Sequence, residues 1–157
     1  PDGVLLTFLN WRSLPTFMKA LADIRWSADS LIVWNKIHMG PAGPKQFRTS
    51  YELVLLCGNH DFQVKNRSIK DVQDCAWPAA KLTDHPAEKP IALMELFIRE
   101  LTGPGDLVID PFMGSGTTGA AAIQNGRKFI GIEQDKRWHD YAHDRLQKIK
   151  NTMGNQS

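Results

Sequence analysis

Short apolar runs alternating with helical stretches predict an α/β sandwich built on a largely parallel sheet. Three observations carry that expectation. Brief apolar runs of strand length occur at Val4 to Leu9, Leu31 to Trp34, Tyr51 to Cys57, Leu107 to Ile109 and Lys128 to Ile132. Apolar side chains recur at helical spacing between them. One stretch, Asp110-Pro111-Phe112-Met113-Gly114-Ser115-Gly116-Thr117-Thr118-Gly119, leads from an apolar run into Ala120-Ala121-Ala122-Ile123 and reads as strand, glycine turn and helix.

The elements follow in order. Asp2-Gly3 makes a turn that opens the first strand. Leu14, Phe17, Met18, Leu21 and Ile24 then form one helical stripe. Gly40, Pro41, Gly43 and Pro44 make residues 36–48 a loop. Residues 58–84 are polar without a clear period and read as a recognition insert or a mobile loop. Pro90 suits the first turn of a helix whose stripe is Leu93, Leu96, Phe97 and Leu101, stopped by Thr102-Gly103-Pro104-Gly105. Asp135 caps a last helix with Trp138, Tyr141, Ala142, Arg145, Leu146 and Ile149 on one side. Residues 151–157 read as a frayed polar tail.

At 157 residues the chain is one domain by length. It is able to bury about 70% of its unfolded surface. A net charge of +2 permits a polyanionic partner without demanding one. The longest aliphatic run, Leu53 to Leu56, is far short of the ~20 residues of a membrane span. Two cysteines, Cys57 and Cys75, suit a reduced, cytoplasmic protein. Cys57, His60, Cys75 and His85 match no compact zinc template, so no metal is expected.

The spacing Gly114-x-Gly116-x-x-Gly119 matches the dinucleotide fingerprint, but Asp110 argues against a dinucleotide. A carboxylate at the strand end repels a pyrophosphate and pairs with a cationic head. S-adenosylmethionine has such a head, an ammonium beside a sulfonium. The alternative for Asp110 is an N-cap carboxylate for the following helix. After Gly126, the strand Lys128-Phe129-Ile130-Gly131-Ile132 ends at Glu133, which stands where an acid accepts from ribose hydroxyls.

At these residues the chain resembles the DNA amino-methyltransferases, which methylate the exocyclic amine of adenine (N6) or cytosine (N4). Asp110 to Thr118 looks like their cofactor motif, Gly131-Ile132-Glu133 like their ribose motif, and His85-Pro86-Ala87-Glu88-Lys89-Pro90 like the motif preceding the cofactor strand in a circularly permuted subgroup. Trp34-Asn35-Lys36, Phe47-Arg48 and Glu52 resemble the segment after the catalytic strand, and the general look is that of phage or prophage methylases of restriction-modification type. The resemblance implies a Rossmann-like, three-layer methyltransferase fold. It implies a single methyltransferase domain over 1–157: part of the catalytic half at 1–57, a target-recognition insert at 58–84, a cofactor half at 85–150 and a tail at 151–157.

The family's catalytic signature, Asp, Ser or Asn before Pro-Pro and an aromatic residue, occurs nowhere in this chain. It belongs before residue 3, so the fold is expected to be incomplete at the N-terminus and the chain alone inactive. A second polypeptide or a homo-oligomer would complete the sheet. Hence no catalytic residue is assigned. The cofactor residues are Asp110, Pro111, Phe112, Gly114, Gly116, Thr117, Thr118, Glu133 and Lys89. Phe112 either lies beside the cofactor, as the resemblance implies, or is a core ring. Lys89 either pairs with the methionine carboxylate or is a solvated lysine. His85 is an orienting loop residue.

The partner is double-stranded DNA with its target base rotated out of the stack. Lys36, Lys45, Arg48, Lys65 and Arg67 are candidate phosphate contacts, or ordinary loop cations. Trp11 and Trp34 either stack on the base or are buried. An NAD-binding oxidoreductase rests on the same glycines and is disfavoured by Asp110; an inactive prophage remnant that binds cofactor or DNA is the other alternative.

Overall fold

A computed structural model of the chain describes residues 3–77 and 87–154. The fold is mixed α/β and divides into two compact units, residues 1–77 and 78–157. His85, with the start of its motif, lies outside the described residues.

The first unit holds β1 (Leu5–Leu9), α1 (Leu14–Asp23), β2 (Ser30–Asn35), β3 (Tyr51–Cys57) and β4 (Val72–Asp74). Its sheet order is β1-β3-β2-β4. The aliphatic run Leu53–Cys57 is buried on both faces of β3, which lies between β1 and β2 in the sheet. Leu9, Leu21, Leu53, Leu55 and Cys57 make the core on the α1 side. Burial raises the Cys57 thiol pKa, and Asp29 adds to the rise. Trp26 Nε1 donates to Gly58 O at 2.7 Å, and Gly58 N donates to Asp29 at 2.6 Å, which pins the end of β3.

The expected largely parallel sheet is corrected here. β3 runs antiparallel to both neighbours, Leu5 opposite Cys57 and Ser30 opposite Leu56, while β2 and β4 are parallel. The loop between β2 and β3 carries no crossover helix, and a parallel pair needs a crossover. β4 also gives strand structure to part of 58–84, where no period was legible.

The second unit holds α2 (Ile91–Leu101), β5 (Leu107–Asp110), α3 (Thr117–Gln124), β6 (Lys128–Gly131) and α4 (Lys136–Gly154). β5 and β6 pair in parallel, Asp110 beside Gly131, as a strand-helix-strand unit allows. The alanines of α3 are fully buried. Alternate strand residues Leu107, Ile109 and Ile130 remain exposed.

Two expectations shift. In α2 the buried residues are Leu93, Met94, Phe97 and Ile98, whereas Leu96 and Leu101 are only half-buried. Their spacing still makes one stripe, rotated toward Met94 and Ile98. Residues 151–154 are helical rather than frayed, because α4 continues through them. No helix among the described residues is long and apolar enough to cross a membrane.

Candidate functional site

The site is built where β5 ends. Parallel pairing sets Asp110 level with Gly131, so the acid at the end of β5 and the acid following β6 flank one glycine loop. Asp110 is half-buried, and its Oδ1 accepts from Phe112 N at 3.0 Å. It caps this tight turn and does not cap α3, whose N-cap is Gly116. The alternative of an N-cap for the following helix is therefore set aside. The turn leaves Phe112 87% exposed, which rules out the core-ring reading. Pro111 is exposed beside it.

The loop folds back under its own hydrogen bonds. Met113 N donates to Ile132 O at 3.0 Å, and Gly116 N to Met113 O at 2.8 Å. Gly116 has φ of 79°, and a Cβ there would stand 3.0 Å from Ala142 Cβ. Both the backbone conformation and the approach of α4 require glycine. At Gly119 a Cβ would meet the Phe129 ring at 2.5 Å, so this glycine serves helix-to-strand packing.

Glu133 clasps the loop. Its Oε2 accepts from Gly114 N at 2.9 Å and its Oε1 from Asp135 N at 2.9 Å. A carboxylate oxygen with one N–H partner retains a second lone pair, so both oxygens keep acceptor capacity for hydroxyls. Asp135 caps α4 as expected, accepting from Arg137 N at 2.8 Å. The donor set fits a nucleoside with a cationic head: one carboxylate at a strand end, a second held by amides, and a helix start between them. Thr117 and Thr118 open α3, where first-turn amides have no intrahelical acceptor. Thr118 is half-buried, while Thr117 is buried and its hydroxyl lies 3.4 Å from Arg145 Nη1.

Lys89 donates to Ala87 O at 3.1 Å, an interaction within its own turn. Glu88 and Arg145 went unassigned in the sequence. Arg145 Nη1 donates to Glu88 Oε1 at 3.1 Å and to Ser115 O at 3.1 Å, with only 4% of the Glu88 side chain exposed. The legible signal was a cation on the packing face of α4, between Ala142 and Leu146.

The candidate DNA contacts fall in the first unit and differ among themselves. Lys36 pairs with Glu52 at 2.5 Å, and its ammonium lies 5.1 and 4.7 Å from the Trp34 and Trp77 ring centroids. Trp34 is fully buried, stacked on Trp77 at 5.6 Å, with its Nε1 donating to Cys75 O. Trp11 is 58% exposed. Arg48 Nε donates to Gly40 O at 2.9 Å, tying the loop across itself. Lys45, Arg48, Lys65 and Arg67 are all exposed. Among the described residues no cluster of His, Cys, Asp and Glu is arranged to hold a metal ion.

A family model described as DNA methylase, of the N6/N4 type, matches residues 1–144. YubD of Escherichia coli (strain K12), which carries a methylase name, is 30% identical over 152 residues, covering 97% of this chain and 65% of its own length. The type II methyltransferase M.HinfI of Haemophilus influenzae is 31% identical over 140 residues, covering 76% of this chain and 39% of its own. The chain thus spans less than two-thirds of either curated relative. Among solved structures, M1.HpyAVI in complex with SAM matches with a TM-score of 0.80 at 30% identity, covering 93% of this chain and 75% of that one. The cytosine-N4-specific PvuII DNA methyltransferase matches with a TM-score of 0.79 at 18% identity, covering 99% and 71%, and shares the fold. S-adenosylmethionine is the cofactor of the matched family.

Proposed function

The chain belongs to the N6/N4 DNA methylase family, and from that premise we propose that it is the cofactor-binding and recognition part of a site-specific DNA methyltransferase. The reaction is transfer of a methyl group from S-adenosylmethionine to the exocyclic amine of adenine (N6) or cytosine (N4). The single observation that carries the reading is the register of Asp110 with Gly131, which puts Asp110 and Glu133 on either side of one glycine loop.

Asp110 holds the methionine ammonium through a charge-assisted hydrogen bond. Glu133, oriented by the amides of Gly114 and Asp135, accepts from the ribose hydroxyls. Phe112, projecting from the Asp110 turn, offers its ring to the adenine. Pro111, Gly114, Gly116, Thr117 and Thr118 shape the loop and the helix start. Lys89 meets the methionine carboxylate once it leaves the Ala87 carbonyl.

The bound cofactor supplies an electrophilic methyl carbon on a good leaving group. Asp110 and Glu133, holding the cofactor, would present that carbon to the target amine for in-line attack. No strong base is needed, so the protein's contribution is in-line positioning. Double-stranded DNA is the partner, with the target base flipped out and Lys45, Arg48, Lys65 and Arg67 available to phosphates. Lys36 serves phosphate contact only if its Glu52 pair opens.

One observation favours a narrower reading of this chain: no Asp, Ser or Asn before Pro-Pro and an aromatic residue occurs in it. On that reading it binds cofactor and DNA without turnover by itself. Calorimetric titration with S-adenosylhomocysteine and with NAD tests the cofactor assignment. Binding of the first alone, weakened about tenfold or more in Asp110→Asn, is expected. Tight NAD binding would overturn it. Tritiated-methyl transfer to unmethylated DNA tests the narrower reading, which any measurable turnover by the chain alone refutes.

A further inference from the structure

Arg145 makes an unusual set of contacts for a helix-surface cation. One nitrogen, Nη1, lies 3.1 Å from Glu88 Oε1, 3.1 Å from the Ser115 carbonyl and 3.4 Å from the Thr117 hydroxyl. Only 15% of its side chain and 4% of that of Glu88 are exposed. The Ser115 carbonyl sits between Gly114 and Gly116, with φ of 50° and 79°. Glycines on both sides leave the intervening peptide easy to rotate, so its direction depends on an outside donor. Three residues earlier on α4, Ala142 packs directly over Gly116. The helix therefore holds the loop by one small side chain and one cation.

We propose that Arg145, itself oriented by Glu88, is a positioning residue that sets the glycine loop in its cofactor-receiving shape. This rests on the cofactor-binding reading above. Arg145 acts through the loop: it fixes the Ser115 peptide and the Thr117 hydroxyl, and thereby the direction of the amides that open α3. In a shielded setting such a charged hydrogen bond is strong.

The test is calorimetric titration of the 157-residue chain with S-adenosylhomocysteine, for the unaltered sequence and for Arg145→Met, Arg145→Lys and Glu88→Gln, each paired with a thermal melt. Titrations are run well below each variant's midpoint. Arg145→Met is expected to bind about tenfold or more weakly, the equivalent of one lost ligand hydrogen bond, with Arg145→Lys and Glu88→Gln between it and the unaltered chain. A merely structural role would lower the midpoint and leave the affinity of the folded variants unchanged, which would overturn the proposal. If Arg145→Met does not fold, Arg145→Lys decides. If the unaltered chain does not bind the probe, the cofactor reading itself falls, and the positioning role with it.

Discussion

The loop between β2 and β3 and the loop between β5 and α3 each carry two glycines and have opposite character. The loop between β2 and β3 is almost wholly exposed and is closed chiefly by its own backbone and by Arg48 reaching the Gly40 carbonyl. The loop between β5 and α3 is buried from Met113 to Thr117 and is held by residues distant in sequence, Glu133 and Arg145. Glycine serves a surface turn in the first and close approach of backbone to a packed helix in the second. Their glycines alone do not distinguish them; the neighbours that cover each loop do.

Substitutions that attack the coverage should separate the loops most sharply. Arg145→Ala removes the charged hydrogen bonds to Glu88 and to the Ser115 carbonyl, and should lower the stability of the second unit by about 1.5–3 kcal/mol in urea unfolding. Gly116→Ala forces a left-handed backbone on a residue with a Cβ and presses that carbon toward Ala142; a loss of about 1–3 kcal/mol is expected by the same measurement. The corresponding change at Gly43, where a Cβ meets nothing, should stay within about 0.5 kcal/mol. Comparable losses at Gly43 and Gly116 would erase the distinction.

Smaller effects belong to the exposed loop. Lys36→Met removes a pair whose side chains are 19% and 24% exposed while keeping apolar contact with both Trp rings, and should cost about 1 kcal/mol or less. Arg48→Ala should leave the unfolding midpoint almost unchanged and make residues 40–48 quicker to cleave in limited proteolysis. The smallest effect concerns Asp140, whose pKa is lowered first by the hydrogen bond from Lys136 and then by that from His139. A depressed folded pKa gives stability that is present above the ordinary value of 3.8 and is lost as pH falls through the folded value. Asp140→Asn should therefore remove a small stabilisation near neutrality, leave stability unchanged well below the folded value, and so flatten the acid limb of the curve.

Legibility in the sequence followed the range of the interactions. Asp135 as a cap, the strand-turn-helix at Asp110 and the small-residue helix after it are set by neighbours a few positions apart, and each was readable. The reversed direction of β3 was not, because an apolar run of Leu and Val has the same composition in either direction. The parallel bridge of β4 to β2 depends on partners about forty positions away and left no period in its own residues. Asp110 and Glu133 were visible because their spacing accompanies a known turn. Arg145 stood on the packing side of its helix in the sequence, but its partner Glu88 lies 57 positions away and no local spacing links the two.

The Glu133 carboxylate has a consequence of its own. It bridges the amide of Gly114 and that of Asp135, so a single side chain fastens the start of the turn to the start of the terminal helix. A sugar drawing on those same oxygens would tighten both attachments together. Protection from deuterium uptake should then spread on occupancy into the opening turns of residues 136–154.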